Sequence, residues 1–393
     1  MDPALNPYSP GSGRRPPELV GRIGELEAFD TIVARARQRL GSRGIVMTGL
    51  RGVGKTVLLN EMYNHADRMG WFAVRLEARA DAQGGLNVRR RLARELVAAA
   101  RSLSPRSRSE RMKAALGTIS AFNAKVGATG IDLGVQITPG RADSGDAEVD
   151  IGELVEDVAL ALLEENRTFG IFIDEMQDLD PATLGALIAA QHAAGQRDWP
   201  FYIIGAGLPN LPRVLTEARS YAERLFDYRR IGQLPHTDAA RALSEPATRY
   251  GVTFTTEALE ILVTAADGYP YFLQEYGQAI WNLAPEKTFT PADAQAAVTY
   301  GLEHLDQAFF LSRWERATPA ERRLLAAMAQ DQGTPSQTGD IAGRLGLRIT
   351  SLGPYRANLI NKGLIYSPEH GQIAYTVPAM ADYVNRHRDN TQT

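Results

Sequence analysis

Eight consecutive residues, Gly49-Leu50-Arg51-Gly52-Val53-Gly54-Lys55-Thr56, fit the spacing G-x-x-x-x-G-K-[ST]. Glycines at those places let the main chain curl so that several N–H groups converge on one point, and such a concavity binds phosphate oxygens. A helix starting at the end of the run adds its partial positive charge. The Lys55 side chain is long enough to reach the β- and γ-phosphates of a triphosphate, and the Thr56 hydroxyl is a hard oxygen ligand suited to Mg²⁺. The chain has 38 Arg and only 5 Lys, so a lysine at that one position carries information. Gly49, Gly52, Val53, Gly54, Lys55, Thr56 and Val57 are therefore the candidate phosphate-binding residues.

A second constellation is Gly170-Ile171-Phe172-Ile173-Asp174-Glu175. An apolar run ends in two acids, and in open parallel sheets ligands bind at the carboxyl ends of strands. Asp174 would hold Mg²⁺ through its water shell, and Glu175 would polarise an attacking water as general base. Gln177 and Asp178 follow closely, where they could help orient water or a partner.

The elements that must position these groups alternate in type. Ile45–Thr48 reads as a buried strand running into the glycine segment, followed by a helix over Val57–Met69. Trp71–Leu76 is a second strand. Helices over 86–100 and 151–165 precede strand 170–173, and a helix over 181–194 precedes strand 201–204. A fifth strand falls near 226–231. Strands alternating with helices imply an α/β fold with a parallel sheet covered on both faces. Residues 101–150 look different. Ten Arg/Lys stand against three Asp/Glu over 81–125, and one Arg against ten acids over 126–165. The spacing suggests a partly mobile insertion with a hairpin over Thr129–Thr138. Its basic half suits either nucleic acid or pairing with the acidic stretch beside it.

From Thr237 the pattern is helical: 237–250, 255–266, 270–283, and 291 to about 316, then shorter helices over 318–329, 341–346 and 351–362. A small hairpin, 363–377, follows. Residues 1–18, rich in Pro, Gly and Ser, read as a flexible arm. No internal repeat is visible.

Composition removes several classes. The chain has 393 residues, a net charge of −3 and no cysteine. Disulfide scaffolds, thiol catalysis, cysteine-ligated zinc and iron–sulfur clusters are excluded. The near-neutral charge gives no bulk attraction for nucleic acid or anionic lipid. The start is not that of a secretory signal and no apolar run is long enough to span a membrane, so a cytoplasmic location without membrane partners is expected. The six histidines are scattered without metal-ligand spacing, and no G-x-S-x-G elbow is present.

The glycine segment, the Asp174-Glu175 pair and an early Val20-Gly21-Arg22 together resemble P-loop ATPases of the AAA+ and STAND types, replication-initiator-like and archaeal-type proteins included. The resemblance implies a parallel-sheet P-loop NTPase core over 19–236, with the insertion at about 101–150. It also implies an α-helical lid over 237–300, a connecting helix over 301–317 and a C-terminal winged helix-turn-helix over 318–393. It further implies that Val20, Gly21 and Arg22 line an adenine pocket, that Asn210 is a sensor of the γ-phosphate, and that Arg224 is a finger completing the site of an adjacent copy. The lid segment Gly268-Tyr269-Pro270-Tyr271 lacks the sensor arginine of initiators and is closer to the Gly-x-Pro of STAND proteins. In the C-terminal segment, Arg356, Asn358 and Lys362 would sit on a recognition helix and Arg348 would reach phosphate, although Gly353, Pro354 and the acidic tip at Glu369 are poor signs for DNA. The implied function is a slow, Mg²⁺-dependent ATPase acting as a molecular switch, with ATP and ADP as ligands. One alternative is an ATP-dependent DNA-binding initiator or transposition-type regulator. The other is a protein-binding scaffold or signalling sensor, with homo-oligomers formed through Arg224.

Overall fold

The computed structural model describes residues 1–11, 13–79, 85–101, 109–127 and 139–387. The hairpin expected over Thr129–Thr138 lies outside them. The chain divides into two compact units: Gly24–Thr48 with Leu58–Arg230, and Met1–Ile23 with Gly49–Val57 and Ile231 onward.

The first unit is built on one parallel sheet. Its elements run α1 (Ile23–Arg37), β1 (Gly44–Thr48), α2 (Lys55–Arg68), β2 (Phe72–Glu77), α3 (Leu86–Arg101), α4 (Glu110–Lys125), α5 (Ala147–Glu164), β3 (Phe169–Asp174), α6 (Pro181–Gln196), β4 (Phe201–Gly207), α7 (Leu211–Ala218), α8 (Ala222–Leu225) and β5 (Phe226–Arg230). The strand order is β2-β3-β4-β1-β5. Every residue of β1, β3 and β4 is buried, which is why these strands read as unbroken apolar runs. Register fixes what the carboxyl edge presents. Ile173 and Val46 both pair with Gly205. Asp174 thus stands one residue further along β3, and Thr48 two residues further along β1, with β4 between them. Two strand spacings separate β3 from β1, about 9.6 Å. The next residue in sequence after Thr48 is Gly49.

Within the expected, partly mobile insertion, residues 110–125 are a packed helix. They form α4, started by the Ser109 hydroxyl accepting from Met112 N–H, and they bury Met112, Leu116, Ile119 and Phe122 in the core of the sheet unit. Those positions recur at helical spacing, a signal masked by the basic charge around them. That charge is neutralised locally: Arg111 pairs with Glu164 at 2.9 Å, and Arg141 meets Glu156 at 3.1 Å and Asp157 at 2.5 Å on α5.

The second unit is mainly helical. After the glycine segment it comprises α9 (His236–Thr248), β6 (Thr253–Phe254), α10 (Thr256–Ala266), α11 (Pro270–Leu283), β7 (Thr288–Phe289) and α12 (Pro291–His304). A π-helical stretch, Leu305–Phe310, continues into α13 (Leu311–Trp314). Then come α14 (Pro319–Met328), β8 (Ser336–Gln337), α15 (Thr338–Leu345), α16 (Gly353–Asn361), β9 (Ile365–Tyr366), β10 (Gln372–Tyr375) and α17 (Met380–Arg386). The last strands form a small sheet in the order β8-β10-β9. Leu324, Leu325, Met328, Ile341, Leu352, Leu359, Leu364 and Ile365 are buried in its core. Ile360 is not: it is 38% exposed. Sequence reading missed α17, whose Tyr383 stacks on Phe310 at 5.3 Å.

The N-terminal arm is also corrected. Its first residues are fixed along the helical unit: the Met1 amine donates to Ala284 O at 3.0 Å, Asn6 Nδ2 to Gln278 O at 3.1 Å, and Trp281 Nε1 to Asp2 O at 2.9 Å. Tyr8 is fully buried and its hydroxyl donates to Leu243 O. Gly277 makes the room, because a Cβ there would lie 2.5 Å from Tyr8 Cδ1. Gly277→Ala should therefore release residues 1–11 while leaving the rest folded. Limited proteolysis followed by mass spectrometry should show faster cleavage in that segment, with Tyr8→Ala reproducing the effect.

Candidate functional site

The glycine segment leaves β1 and ends in the first turn of α2. Gly52 and Gly54 have φ of +89° and +94°, a region that glycine enters without a Cβ penalty. A Cβ built on Gly54 would meet nothing within 4 Å, so space lies beside the loop. Lys55 is only 6% exposed and folds back over its own loop, donating from Nζ to Gly49 O at 2.9 Å and Leu50 O at 2.8 Å. Arg22, also buried, donates from Nη2 to Gly232 O at 2.5 Å and Val53 O at 3.2 Å. A charged donor on a loop carbonyl fixes the curl from behind. Val20 is buried in the helical core beside Leu234, and Gly21, at φ +68°, lies against Leu234 and Asp238. Arg22 thus braces the glycine loop.

The sheet unit carries the acids. Asp174 closes β3 and is 7% exposed, and its Oδ1 accepts from Glu175 N–H at 3.0 Å. Glu175 follows at φ 50°, ψ 42°, a left-handed conformation that a non-glycine residue adopts only at a cost of about 1–3 kcal/mol. Its carboxylate is aimed by Gln177, whose Nε2 donates to Oε2 at 2.8 Å. Gln177 is itself fixed, since its Oε1 accepts from Leu208 N–H at 3.0 Å, just past β4. Gly207 makes that approach possible: a Cβ there would be 2.3 Å from Gln177 Oε1. The sequence offered Gln177 as a group to orient water or a partner; the structure places it on the Glu175 carboxylate. Asn210 stands at the start of α7 without capping it, and its Oδ1 is buried with no hydrogen-bond partner among the described residues. Arg224, on α8, is exposed and makes no ion pair among the described residues, while nearby Asp227 pairs with Arg229 at 2.7 Å.

The donor types fit Mg²⁺, which is usually held by one or two protein oxygens plus substrate phosphates. A threonine hydroxyl and a carboxylate are such donors. Among the described residues no group of three or more His, Asp or Glu forms a metal site of its own.

Comparison with known proteins sharpens the reading. Residues 18–204 match the family model of the AAA ATPase domain. Residues 307–384 match a second family, described only as a domain of unknown function. Among solved structures, a Walker-type ATPase of Pyrococcus abyssi is similar at 17% identity over 97% of this chain and 99% of that one, with a TM-score of 0.59, a likeness of fold. A RuvB variant of Thermotoga maritima aligns at 14% identity over 94% and 96% of the two chains, TM-score 0.46. The Aeropyrum pernix ORC1 protein in complex with DNA aligns at 16% over 96% and 94%, TM-score 0.46. No curated protein matches the chain. No helix among the described residues is long and apolar enough to cross a membrane.

Downstream of the segment matched by the AAA ATPase model, the four residues expected to meet DNA separate into two kinds. Arg348 and Asn358 are exposed. Arg356 is half-buried and donates from Nη2 to Ser367 Oγ at 2.7 Å, a hydroxyl that also bonds Glu369 O and Gln372 O. Lys362 donates from Nζ to Glu321 Oε2 at 2.6 Å, and Glu321 is 1% exposed. These two side chains, expected at a nucleic-acid surface, hold the module together. The α14 apolar run concealed that role, because it also buries a carboxylate that needs a cation. Lys362→Met should accordingly cost roughly 2–3 kcal/mol of stability. Asn358→Ala should stay within about 0.5 kcal/mol, both measured by urea unfolding.

Proposed function

We propose that this chain is an ATP-binding, Mg²⁺-dependent ATPase that works as a nucleotide switch, its phosphate loop reporting to the C-terminal segment. The observation that carries the reading is the glycine loop itself: two left-handed glycines, a lysine over the loop and space beside Gly54. Amides of the loop would take the phosphate oxygens, with Lys55 on the β- and γ-phosphates and the Thr56 hydroxyl and Asp174 as metal ligands. Bound Mg²⁺ would neutralise charge on the phosphate oxygens. Glu175, aimed by Gln177, would accept the proton of the attacking water at its carboxylate. Asn210, with an unpartnered buried acceptor, is the candidate to orient that water. Val20 and Gly21 would border the base, and Val57 would close the loop's end. An exposed, unpaired Arg224 suits completion of a neighbouring copy's site, which makes a homo-oligomer the expected active form.

A protein partner is the better-supported target of residues 318–387, read as a winged helix. Two of its four candidate DNA contacts are engaged internally, while Leu347, Ile349 and Ile360 are 44%, 59% and 38% exposed on the same module. Duplex DNA should then give no shift in gel electrophoresis at 150 mM salt; a shift lost in Arg348→Ala would restore the DNA-binding alternative.

Lys55→Ala should abolish ATP binding in calorimetry. Glu175→Gln should keep the affinity and lower turnover at least 100-fold in a phosphate-release assay. Equal ATP affinity in the wild type and Lys55→Ala would overturn the assignment.

A further inference from the structure

The peptide joining Leu50 to Arg51 is held at both ends. Its carbonyl oxygen accepts from Lys55 Nζ at 2.8 Å, and its N–H donates to the Thr376 carbonyl, also at 2.8 Å. Thr376 follows β10 and is fully buried. Its hydroxyl bonds Gly363 O at 2.8 Å and Leu364 O at 3.2 Å, so its own carbonyl has little freedom. The Arg51 side chain lies against the same place: a Cβ on Gly363 would be 3.1 Å from Arg51 Nη2. One residue on, a Cβ on Gly52 would sit 3.5 Å from Tyr271 Cβ. Tyr271 stacks on Phe309 at 4.9 Å, and the Arg313 guanidinium covers the Phe309 ring at 3.8 Å. All of these residues belong to one compact unit.

A peptide whose carbonyl accepts from an ammonium is polarised, and its N–H becomes a stronger donor. Lys55 therefore strengthens the bond from Arg51 to Thr376 while it rests on Leu50 O. An ammonium has three donors. Reaching both the β- and γ-phosphates takes two of them, so at least one of the two loop carbonyls must be released. Losing Lys55 weakens the N–H donor and removes one of the two anchors that hold the peptide plane.

We infer that the Leu50–Arg51 peptide is a joint through which phosphate occupancy of the loop and attachment of the C-terminal segment at Thr376 oppose each other. Coupling of this kind is reciprocal: ATP loosens the Thr376 contact, and a loosened contact raises ATP affinity. The inference rests on the phosphate-binding reading of the loop, and it assigns Thr376 as a positioning residue for that loop.

Hydrogen exchange of the full chain, followed by mass spectrometry over 49–57 and 364–378, tests it in two arms. Without nucleotide, Lys55→Met should speed exchange of both segments relative to the wild type. With Mg²⁺ and ATP, the wild type should change in the same direction. Thr376→Val removes the hydroxyl anchor and should tighten ATP binding roughly five-fold, with Thr376→Ser restoring the wild-type value. Unchanged exchange in Lys55→Met overturns the joint, as does bound ATP that leaves 364–378 unaltered. Faster exchange in Lys55→Met, beside a wild type that binds no ATP, would keep the joint and remove the nucleotide reading instead.

Discussion

Left-handed backbone at Gly52 and Gly54 is the constraint on which the rest turns. A side chain at either position would be strained, and without the curl the amides of 52–56 would not converge. Backbone N–H groups gathered by such a curl are donors whose charge and spacing suit phosphate oxygens. The remaining features read as support for that loop. Arg22 fixes it through Val53 O, Lys55 lies over it, and Thr376 fastens its third residue.

The acids are governed by a different device, sheet register. Parallel strands deliver all their carboxyl ends to one edge, and the shared pairing of Ile173 and Val46 with Gly205 sets how far each strand projects. Beyond that edge the chain accepts strain at Glu175, and it removes a side chain at Gly207 so that Gln177 can hold the carboxylate. Glu175 thus combines a left-handed backbone with a carboxylate held by a fixed amide, the local geometry on which its proposed role rests.

The strands and most helices were legible because burial of both sheet faces and of one helix face leaves periodic apolar patterns. The glycine loop and the Asp174-Glu175 pair were legible because their chemistry demands particular residue types at particular places. What failed had physical causes. Helix α4 was hidden by basic residues whose partners on α5 lie 50 positions away in sequence at the Arg111–Glu164 pair, roughly. The arm looked flexible because Pro, Gly and Ser dominate it, while the single residue that fixes it, Tyr8, needs a glycine at 277 to be seated. Arg356 and Lys362 looked like surface cations because sequence does not show that a carboxylate at 321 and a hydroxyl at 367 are buried beside them. Contacts between distant segments, such as Arg51 with Thr376, leave no pattern at all.

The most direct measurement is a titration of isotope-labelled protein with Mg²⁺ and ATP, followed through the backbone amide resonances of 52–56. Saturable shifts concentrated on those amides, absent in Lys55→Ala, are the expected result. ATP that binds while those resonances stay fixed would place the phosphates elsewhere and contradict the account.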